Sequence, residues 1–249
     1  MGNFWLVVNR VIREADILIM VLDARMPNDT RNVEIENKVS ESKKPLIYVL
    51  NKCDLVDKNF VEEYKKKIPN SVFMSAREHQ GTIKLREKIL ISAARIKKSE
   101  VKVGILGYPN VGKSSVINAL KGRSAAKTSS ISGYTKGLQK IRIAGNIMLL
   151  DTPGVIPYQE ADKFKHNIIG TIDHSKEKDP DIVAMMLMTE FPGLIEKHYG
   201  VVATKNKEKT LVLIAKKRNM IASGAEPDIM RTSRMILKDW QTGKITYKE

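Results

Sequence analysis

A loop of the form G-x-x-x-x-G-K-S occupies residues 107–114 and directly follows an apolar run at residues 101–106. The glycines of such a loop let backbone amides point at phosphate oxygens, and the helix predicted to follow adds its positive N-terminal end. Lys113 can bridge the β- and γ-phosphates of a nucleoside triphosphate, and the Ser114 hydroxyl suits Mg²⁺. The alternative is a plain strand-to-helix turn. The predicted phosphate-binding residues in this loop are Asn110, Val111, Gly112, Lys113, Ser114 and Ser115.

A second group of residues has the types needed to select a purine base. Residues 51–54 read N-K-C-D and follow a predicted strand, at the end where open α/β sheets bind ligands. The carboxylate of Asp54 can accept from guanine N1–H and the 2-amino group, whereas adenine offers an acceptor at that edge. Taken alone, the four residues also fit a solvated turn. A backbone amide of the later S-A-R segment can donate to the guanine carbonyl oxygen. The predicted guanine-binding residues are Asn51, Lys52, Asp54, Ser75, Ala76 and Arg77.

A third motif, D-T-P-G at residues 151–154, has the form of a γ-phosphate sensor. Asp151 is predicted to reach Mg²⁺ through water, and the Gly154 amide is predicted to meet the γ-phosphate. Thr135 is predicted to complete the magnesium shell when triphosphate is bound, with Thr128 as the alternative. The metal set is therefore Ser114, Thr135 and Asp151, and the residues assigned to the chemical step are Lys113, Thr135 and Gly154.

Short apolar strands alternating with helices are predicted to carry these motifs. The β-branched runs typical of buried parallel strands lie at residues 16–23, 45–50, 71–74 and 101–106. Helical patterns lie at residues 33–42, 60–67, 82–98 and 115–121. This alternation is typical of a doubly wound α/β domain, to which residues 137–143 and 146–151 add an edge hairpin. Beyond residue 156 the β pattern ends, and helices are predicted at residues 204–220 and 228–242.

The order of the motifs is base-selecting loop, S-A-R loop, phosphate loop, switch threonine and D-T-P-G, which is a rotation of the Ras-like order. In that order, and in the segments DILIMVLDARMPNDTRN, NKCD, GYPNVGKSS, SGYTKG and DTPGV, the sequence resembles the circularly permuted GTPases of ribosome assembly, the YlqF/YawG family. The resemblance implies a circularly permuted Ras-like P-loop GTPase domain over residues 1–156. A smaller all-α domain is expected over residues 157–249, and GTP, GDP and Mg²⁺ are the expected ligands.

The resemblance also implies binding to ribosomal RNA and ribosomal particles, most often of the large subunit. The first histidine is His79, so the N-terminal histidine of bacterial large-subunit relatives has no counterpart here. The single cysteine, Cys53, cannot build the zinc site of some small-subunit relatives, which favours the large subunit. Two other functions stay open: a GTPase serving tRNA modification or another non-ribosomal process, and an RNA-binding module with a vestigial nucleotide site. The oligomeric state is also open.

The residue after D-T-P-G bears on the rate of hydrolysis. Val155 stands where Ras-like enzymes place the glutamine that orients water, and valine forms no hydrogen bond to water. We therefore expect slow intrinsic hydrolysis, with the missing group supplied by the ribosome, a monovalent cation or another part of the chain. In GTPases of the G-x-P-N-x-G-K-S type the asparagine resembles a potassium ligand, which makes Asn110 a candidate for K⁺. Its alternative role is that of a turn residue.

The formal net charge of +15 favours a polyanionic partner such as nucleic acid. Residues 1–155 hold 27 basic and 15 acidic side chains, whereas residues 156–249 hold 16 and 13. The candidate RNA contacts lie on the C-terminal helices and are Lys216, Lys217, Arg218, Arg231, Arg234 and Lys238. The alternative is that these residues form ordinary solvated helix faces.

The composition points to a folded protein without a membrane partner. Hydrophobic residues make up 42% and charged residues 29% of the chain, as in globular domains. The longest apolar run, residues 17–22, is far shorter than the roughly 20 residues of a spanning helix, and no basic-then-apolar leader opens the sequence. With a single cysteine, a reducing cytoplasm is the expected location.

Overall fold

The computed structural model describes residues 2–121, 139–151, 174–175 and 177–247. The chain divides into two compact units, Met1–Gln159 and Glu160–Glu249. The predicted domain boundary at residue 156 lies outside the described residues and stays a prediction.

A six-stranded sheet forms the centre of the described part of the first unit. Its strands are β1 (Ile17–Asp23), β2 (Leu46–Asn51), β3 (Ser71–Met74), β4 (Val101–Leu106), β5 (Gln139–Ala144) and β6 (Ile147–Asp151). They lie in the order β3-β2-β1-β4-β6-β5, and all neighbours are parallel except the hairpin pair β5 and β6. The predicted doubly wound, mostly parallel sheet is confirmed.

The register of the strands sets where the polar residues meet. All seven residues of β1 are buried, as expected for a strand covered on both faces. Asp23, at the end of β1, lies opposite Asn51 at the end of β2, and β4 pairs with β1 on the other side. The carboxyl ends of these parallel strands therefore share one edge of the sheet, which is the edge where such sheets bind ligands.

The described helices of the first unit are α1 (Gly2–Glu14), α2 (Val33–Glu41), α3 (Lys58–Lys67), α4 (Thr82–Ala94) and α5 (Lys113–Lys121). Helix α4 was predicted to continue to residue 98, and that prediction is wrong. The helix ends at Ala94, and the segment after it lets Lys98 form an ion pair with Asp16 at the start of β1.

Helix α1 was not predicted, and its packing explains why it forms. Val8, Val11 and Ile12 recur at helical spacing and are buried. The helix approaches β4 at Gly104, where an added Cβ would lie 2.7 Å from Val11 Cγ1, so only a glycine fits there. At its C-terminal end, the Lys44 ammonium donates to the carbonyl oxygens of residues 12, 13 and 15 at 2.6 to 2.9 Å. These are carbonyls that a helix leaves without intrahelical partners.

The described residues of the second unit form four helices, α6 (Pro180–Glu190), α7 (Leu194–Tyr199), α8 (Lys207–Lys217) and α9 (Ile229–Gln241). The predicted helix at 204–220 is shorter than expected because Asn206 caps α8, accepting from the Lys209 amide at 3.1 Å. Asp228 caps α9, accepting from the Arg231 amide at 2.9 Å, so the predicted start of that helix is confirmed. Trp240 is 1% exposed and lies in the core of this unit. Among the described residues, no helix has the length and apolar character needed to cross a membrane.

Candidate nucleotide-binding site

The predicted phosphate loop connects β4 to α5 at the carboxyl edge of the sheet. Gly112 has a φ of +94°, and a Cβ added there would lie 2.2 Å from Nδ2 of Asn51. Both the left-handed backbone and the close approach require glycine at this position. The loop is therefore packed directly against the residue that opens the N-K-C-D segment.

Asn51 joins three predicted parts of the site through one buried side chain. Its Nδ2 donates to the carbonyl oxygen of Val111 in the phosphate loop at 2.9 Å. Its Oδ1 accepts from the Ala76 amide of the S-A-R segment at 3.1 Å. Because Asn51 is 2% exposed, both hydrogen bonds are shielded from water. The structure thus brings together the base-selecting, S-A-R and phosphate loops.

The next residues of N-K-C-D lie in a tight turn. Lys52 has a left-handed backbone, with φ 65° and ψ 32°, and is followed by a 3-10 turn at Cys53–Leu55 that carries Asp54. Asp54 is partly exposed at this turn, as expected of a carboxylate that binds a base. The Lys52 ammonium does not point to open solvent but lies 2.8 Å from Oδ2 of Asp23.

The S-A-R segment has a structural role in addition to the predicted one. The Ser75 hydroxyl is buried and accepts from the Glu78 amide at 3.1 Å, and the Ser75 amide donates to the Gln80 carbonyl at 3.1 Å. The Ala76 amide, one of the S-A-R amides predicted to be able to bind the guanine carbonyl oxygen, donates in this structure to Asn51. The side chain of Arg77 is exposed. The amide contact to guanine therefore stays a prediction.

Lys113 begins α5 and folds back over the phosphate loop. Its Nζ donates to the carbonyl oxygens of Gly107 at 2.8 Å and Tyr108 at 2.5 Å. Burial lowers the pKa of Lys113 to about 8, because no anionic side chain in the described part of the chain compensates the loss of water around the ammonium. A phosphate group at this point would restore that compensation, so the environment of Lys113 favours an anionic ligand.

Three other phosphate-loop residues are exposed. Ser114 and Ser115 lie at the N-terminal end of α5, where free backbone amides and the helix dipole favour anions. Asn110 has a positive φ of 60°, which asparagine tolerates better than most residues, so the turn role is compatible with its backbone. Its side chain is exposed at the loop, where it remains a candidate cation ligand.

Two of the predicted magnesium ligands, Ser114 and Asp151, carry hard oxygen donors and belong to segments connected to the neighbouring strands β4 and β6. Asp151 ends β6, and the residue before it, Leu150, pairs with Gly104 of β4, the strand that leads into the phosphate loop and Ser114. A hydroxyl and a carboxylate fit Mg²⁺, which usually completes its shell with phosphate oxygens and water. Thr135 and Gly154, together with Thr128 and Val155, lie outside the described residues, and their roles stay predictions.

The candidate RNA contacts differ in their surroundings. Lys216, Lys217 and Arg218 are exposed at the end of α8, and the Arg218 guanidinium lies 5.0 Å from the centre of the Tyr199 ring. On α9, Arg231 and Lys238 are exposed. Arg234 is half-buried, and its Nη2 donates to the Glu177 carbonyl at 3.4 Å. Exposure thus favours Arg231 and Lys238 over Arg234 as phosphate contacts on this helix.

One feature of the site was missed by the sequence analysis. Asp23 and Arg25, both buried, form an ion pair directly beside Lys52. The sequence signal was the D-A-R triplet at the end of the most apolar strand, where charged residues are rarely buried unless paired.

Known GTPases resemble this chain in sequence. A family profile described as RsgA GTPase matches residues 9–160, and one described as 50S ribosome-binding GTPase matches residues 102–222. An uncharacterized GTP-binding protein of Methanocaldococcus jannaschii is 43% identical over 246 residues, 97% of this chain and 65% of the relative. Nuclear/nucleolar GTPase 2 of Oryza sativa subsp. japonica is 33% identical over 255 residues, 98% of this chain and 48% of the relative. The chain therefore spans about half to two thirds of the length of these relatives.

Solved structures of YlqF from T. maritima resemble the chain over nearly its whole length. The GNP-bound form has a TM-score of 0.66 at 24% identity and covers 96% of this chain and 93% of its own. The GDP-bound form has a TM-score of 0.68 at 23% identity, with 96% and 95% covered. The predicted circularly permuted fold is thereby confirmed.

Replacing Asn51 by alanine tests whether this side chain assembles the site. We expect the Asn51→Ala variant to bind guanine nucleotide about 100-fold more weakly and to lose about 1–3 kcal/mol of stability, because the Val111 carbonyl and the Ala76 amide both lose a buried partner. Nucleotide titration and chemical denaturation measure the two effects. Asn146→Ala is the matched control, since Asn146 is exposed and its side chain donates to the Lys98 carbonyl, away from the phosphate and base-selecting loops. Equal affinity in the two variants would contradict the role given to Asn51.

Proposed function

Because the chain belongs to the RsgA GTPase family, we propose that it binds guanine nucleotides and hydrolyses GTP to GDP and phosphate, as a switch in ribosome assembly. The observation that carries the proposal is the pair of hydrogen bonds from Asn51, which holds the base-selecting, S-A-R and phosphate loops at one edge of the sheet. One nucleotide can then contact Asp54 at its base and Lys113 at its phosphates.

The residues around this pocket have distinct roles in the proposed reaction. Asp54 accepts from the guanine donors, and the phosphate-loop amides surround the β-phosphate. Lys113 leaves the carbonyls of Gly107 and Tyr108 and donates to the β- and γ-phosphates. Ser114, Thr135 and Asp151 are the residues that would hold Mg²⁺. When bound, the ion would supply positive charge that offsets the charge developing on the phosphates.

We expect the intrinsic reaction to be slow, since Val155 offers no hydrogen bond to the attacking water. The second part of the proposal is that K⁺ supplies positive charge beside the phosphates, with Asn110 as a ligand. Support comes from the exposed position of Asn110 in a loop whose helix end already favours anionic ligands.

Base selection by Asp54 has a direct test. In the Asp54→Asn variant, the amide can donate to the 2-oxo group of xanthine, so we expect the preference for GDP over XDP to fall by about 100-fold or more. Competition binding with the two diphosphates measures this preference. Asp57→Asn is the matched control, because Asp57 is exposed and its side chain caps nothing in α3. An unchanged preference in Asp54→Asn would refute the assignment.

GTP turnover that persists in Lys113→Ala would refute the role of Lys113, and an inactive wild-type protein would favour a vestigial site.

The role of K⁺ is tested by the rate of GTP hydrolysis in matched KCl and NaCl buffers. We expect hydrolysis about tenfold faster in KCl, because a cation of suitable size stabilises the charge that develops on the phosphates. The Asn110→Gly variant preserves the left-handed backbone and removes the side chain, so it should lose the difference between the salts. Equal rates of the wild-type protein in both salts would end the potassium proposal.

We further propose that the partner is the large ribosomal subunit, bound through ribosomal RNA. Support comes from the net charge of +15 and from the match of residues 102–222 to a profile described as 50S ribosome-binding GTPase. The contacts would come from the exposed cations of the second unit, with RNA affinity coupled to the bound nucleotide. We place the protein in the cytoplasm as a prediction, while some of its relatives carry nuclear or nucleolar names.

Cosedimentation with separated ribosomal subunits tests the partner. We expect binding to the large subunit, stronger with a non-hydrolysable GTP analogue than with GDP. The salt dependence of binding is the slope of the logarithm of affinity against the logarithm of salt concentration. In the Arg231→Gln/Lys238→Gln variant, the magnitude of this slope should fall by about one for each lost phosphate contact. Lys66→Gln/Lys84→Gln removes the same charge from exposed sites on α3 and α4 and serves as the control. An unchanged slope would contradict the assignment of Arg231 and Lys238 as phosphate contacts. Absence of binding to either subunit would favour a non-ribosomal role.

A further inference from the structure

A buried cluster of three charged side chains lies beside the base-selecting loop, the N-K-C-D segment at residues 51–54. The Asp23 carboxylate accepts from Arg25 Nε at 3.0 Å and Nη2 at 2.8 Å, and from the Arg25 backbone amide at 3.0 Å. Lys52 Nζ lies 2.8 Å from the same carboxylate. The Asp23 amide donates to the Thr30 hydroxyl at 3.1 Å, which fixes the end of β1. One carboxylate therefore holds two cations from different loops.

Within the described residues the cluster holds two cations and one anion, and its side chains differ in exposure. Two cations share one anion, and the exposed fractions of the side chains are 1% for Arg25, 3% for Asp23 and 18% for Lys52. Burial alone would raise the pKa of Asp23, but the positive charges of Arg25 and Lys52 hold it well below its usual range. Of the three side chains, that of Lys52 is the most exposed, and it belongs to the base-selecting loop.

The backbone of Lys52 gives the ion pair a further consequence. Its φ of 65° is left-handed, a conformation that costs free energy for a lysine and that persists only where the surroundings hold it. Lys52 immediately precedes the 3-10 turn that carries Asp54. The contact of its ammonium with Asp23 fixes the side chain at the point where this strained turn begins.

We propose that Asp23 is a positioning residue of the guanine site: it holds Lys52, and through Lys52 the turn that presents Asp54 to the base. The inference rests on the proposed binding of guanine nucleotides. It assigns to a strand outside the N-K-C-D segment a part in base selection. The hydrogen bonds from Arg25 fix the orientation of the Asp23 carboxylate. The carboxylate is therefore already oriented to bind the Lys52 ammonium.

Asp23→Asn is the variant that tests this role. It preserves an acceptor for Arg25 and removes the charge that holds Lys52. We expect GDP to bind on the order of tenfold more weakly, with a loss of preference for GDP over ADP, because Asp54 is no longer fixed. In a Lys52→Met background the same substitution should have little further effect on GDP affinity, since Asp23 acts through Lys52. Asp23→Glu retains the charge and should recover part of the affinity.

The pH dependence of GDP affinity separates positioning from general stability. The groups that face Lys52 are Asp23, Arg25 and Asp54. Burial lowers the pKa of Lys52, and the charge of Asp23 opposes that effect. In the wild-type protein, deprotonation of Lys52 at high pH breaks its pair with Asp23 and should weaken GDP binding, whereas in Asp23→Asn the pair is already absent and this loss of GDP affinity with rising pH should be missing. Lys113 contributes equally to the pH dependence of both proteins, so the difference between them isolates the pair of Lys52 with Asp23.

Asp16→Asn is the matched control, since Asp16 lies at the opposite end of β1 and pairs with Lys98. It should leave GDP affinity unchanged. Unchanged affinity in Asp23→Asn, or an equal loss in the Lys52→Met background, would overturn the inference while leaving GTP binding intact. A wild-type protein that binds no guanine nucleotide would instead overturn the proposed function. Should Asp23→Asn fail to fold, the NMR signal of the Lys52 ammonium in the wild-type GDP complex decides: slow exchange with water supports the pairing, and its absence refutes it.

Discussion

The side chain of Asn51 is the contact on which the nucleotide site depends. Its donor and its acceptor are both used, one on the phosphate loop and one on the S-A-R segment, and neither bond is exposed to water. A buried amide of this kind leaves two unsatisfied groups if it moves, so the three loops are held in a single arrangement. Gly112 completes the arrangement because no larger residue leaves room for Asn51.

The parallel sheet makes that contact geometrically available. Strands β1, β2 and β4 are adjacent. Each ends at the same edge of the sheet, and residues of the site lie at or directly after each of these strand ends. Segments distant in the sequence therefore meet without any long excursion of the chain. The apolar strands supply the rigid frame, and the polar residues are confined to the loops that follow them, as is usual for binding sites on α/β sheets.

Much of this architecture was predictable from local patterns. The strands were recognised because their residues are apolar on both faces, and the phosphate and base-selecting loops because their chemistry needs particular residues at fixed spacing. The rest depends on contacts between distant segments. Helix α1 is held by Gly104 of β4 and by the ammonium of Lys44, neither of which lies in the helix. The pairing of Asp23 with Lys52 joins the last residue of β1 to the residue that follows β2, and it has no signature in either stretch alone. Helix α8 begins later than its apolar spacing indicates because the side chain of Asn206 caps it, and apolar spacing does not reveal a polar cap.

The pairing of β1 with β4 has a consequence for how the protein is made on the ribosome. The strands that bear the base-selecting segments, β2 and β3, emerge before β4, and β1 waits with one edge unpaired until residues 101–106 have been synthesised. The nascent chain thus carries a guanine-selecting half that has no phosphate loop. Nucleotide can contribute to the stability of the fold only late in translation, after the second half of the sheet has closed the open edge.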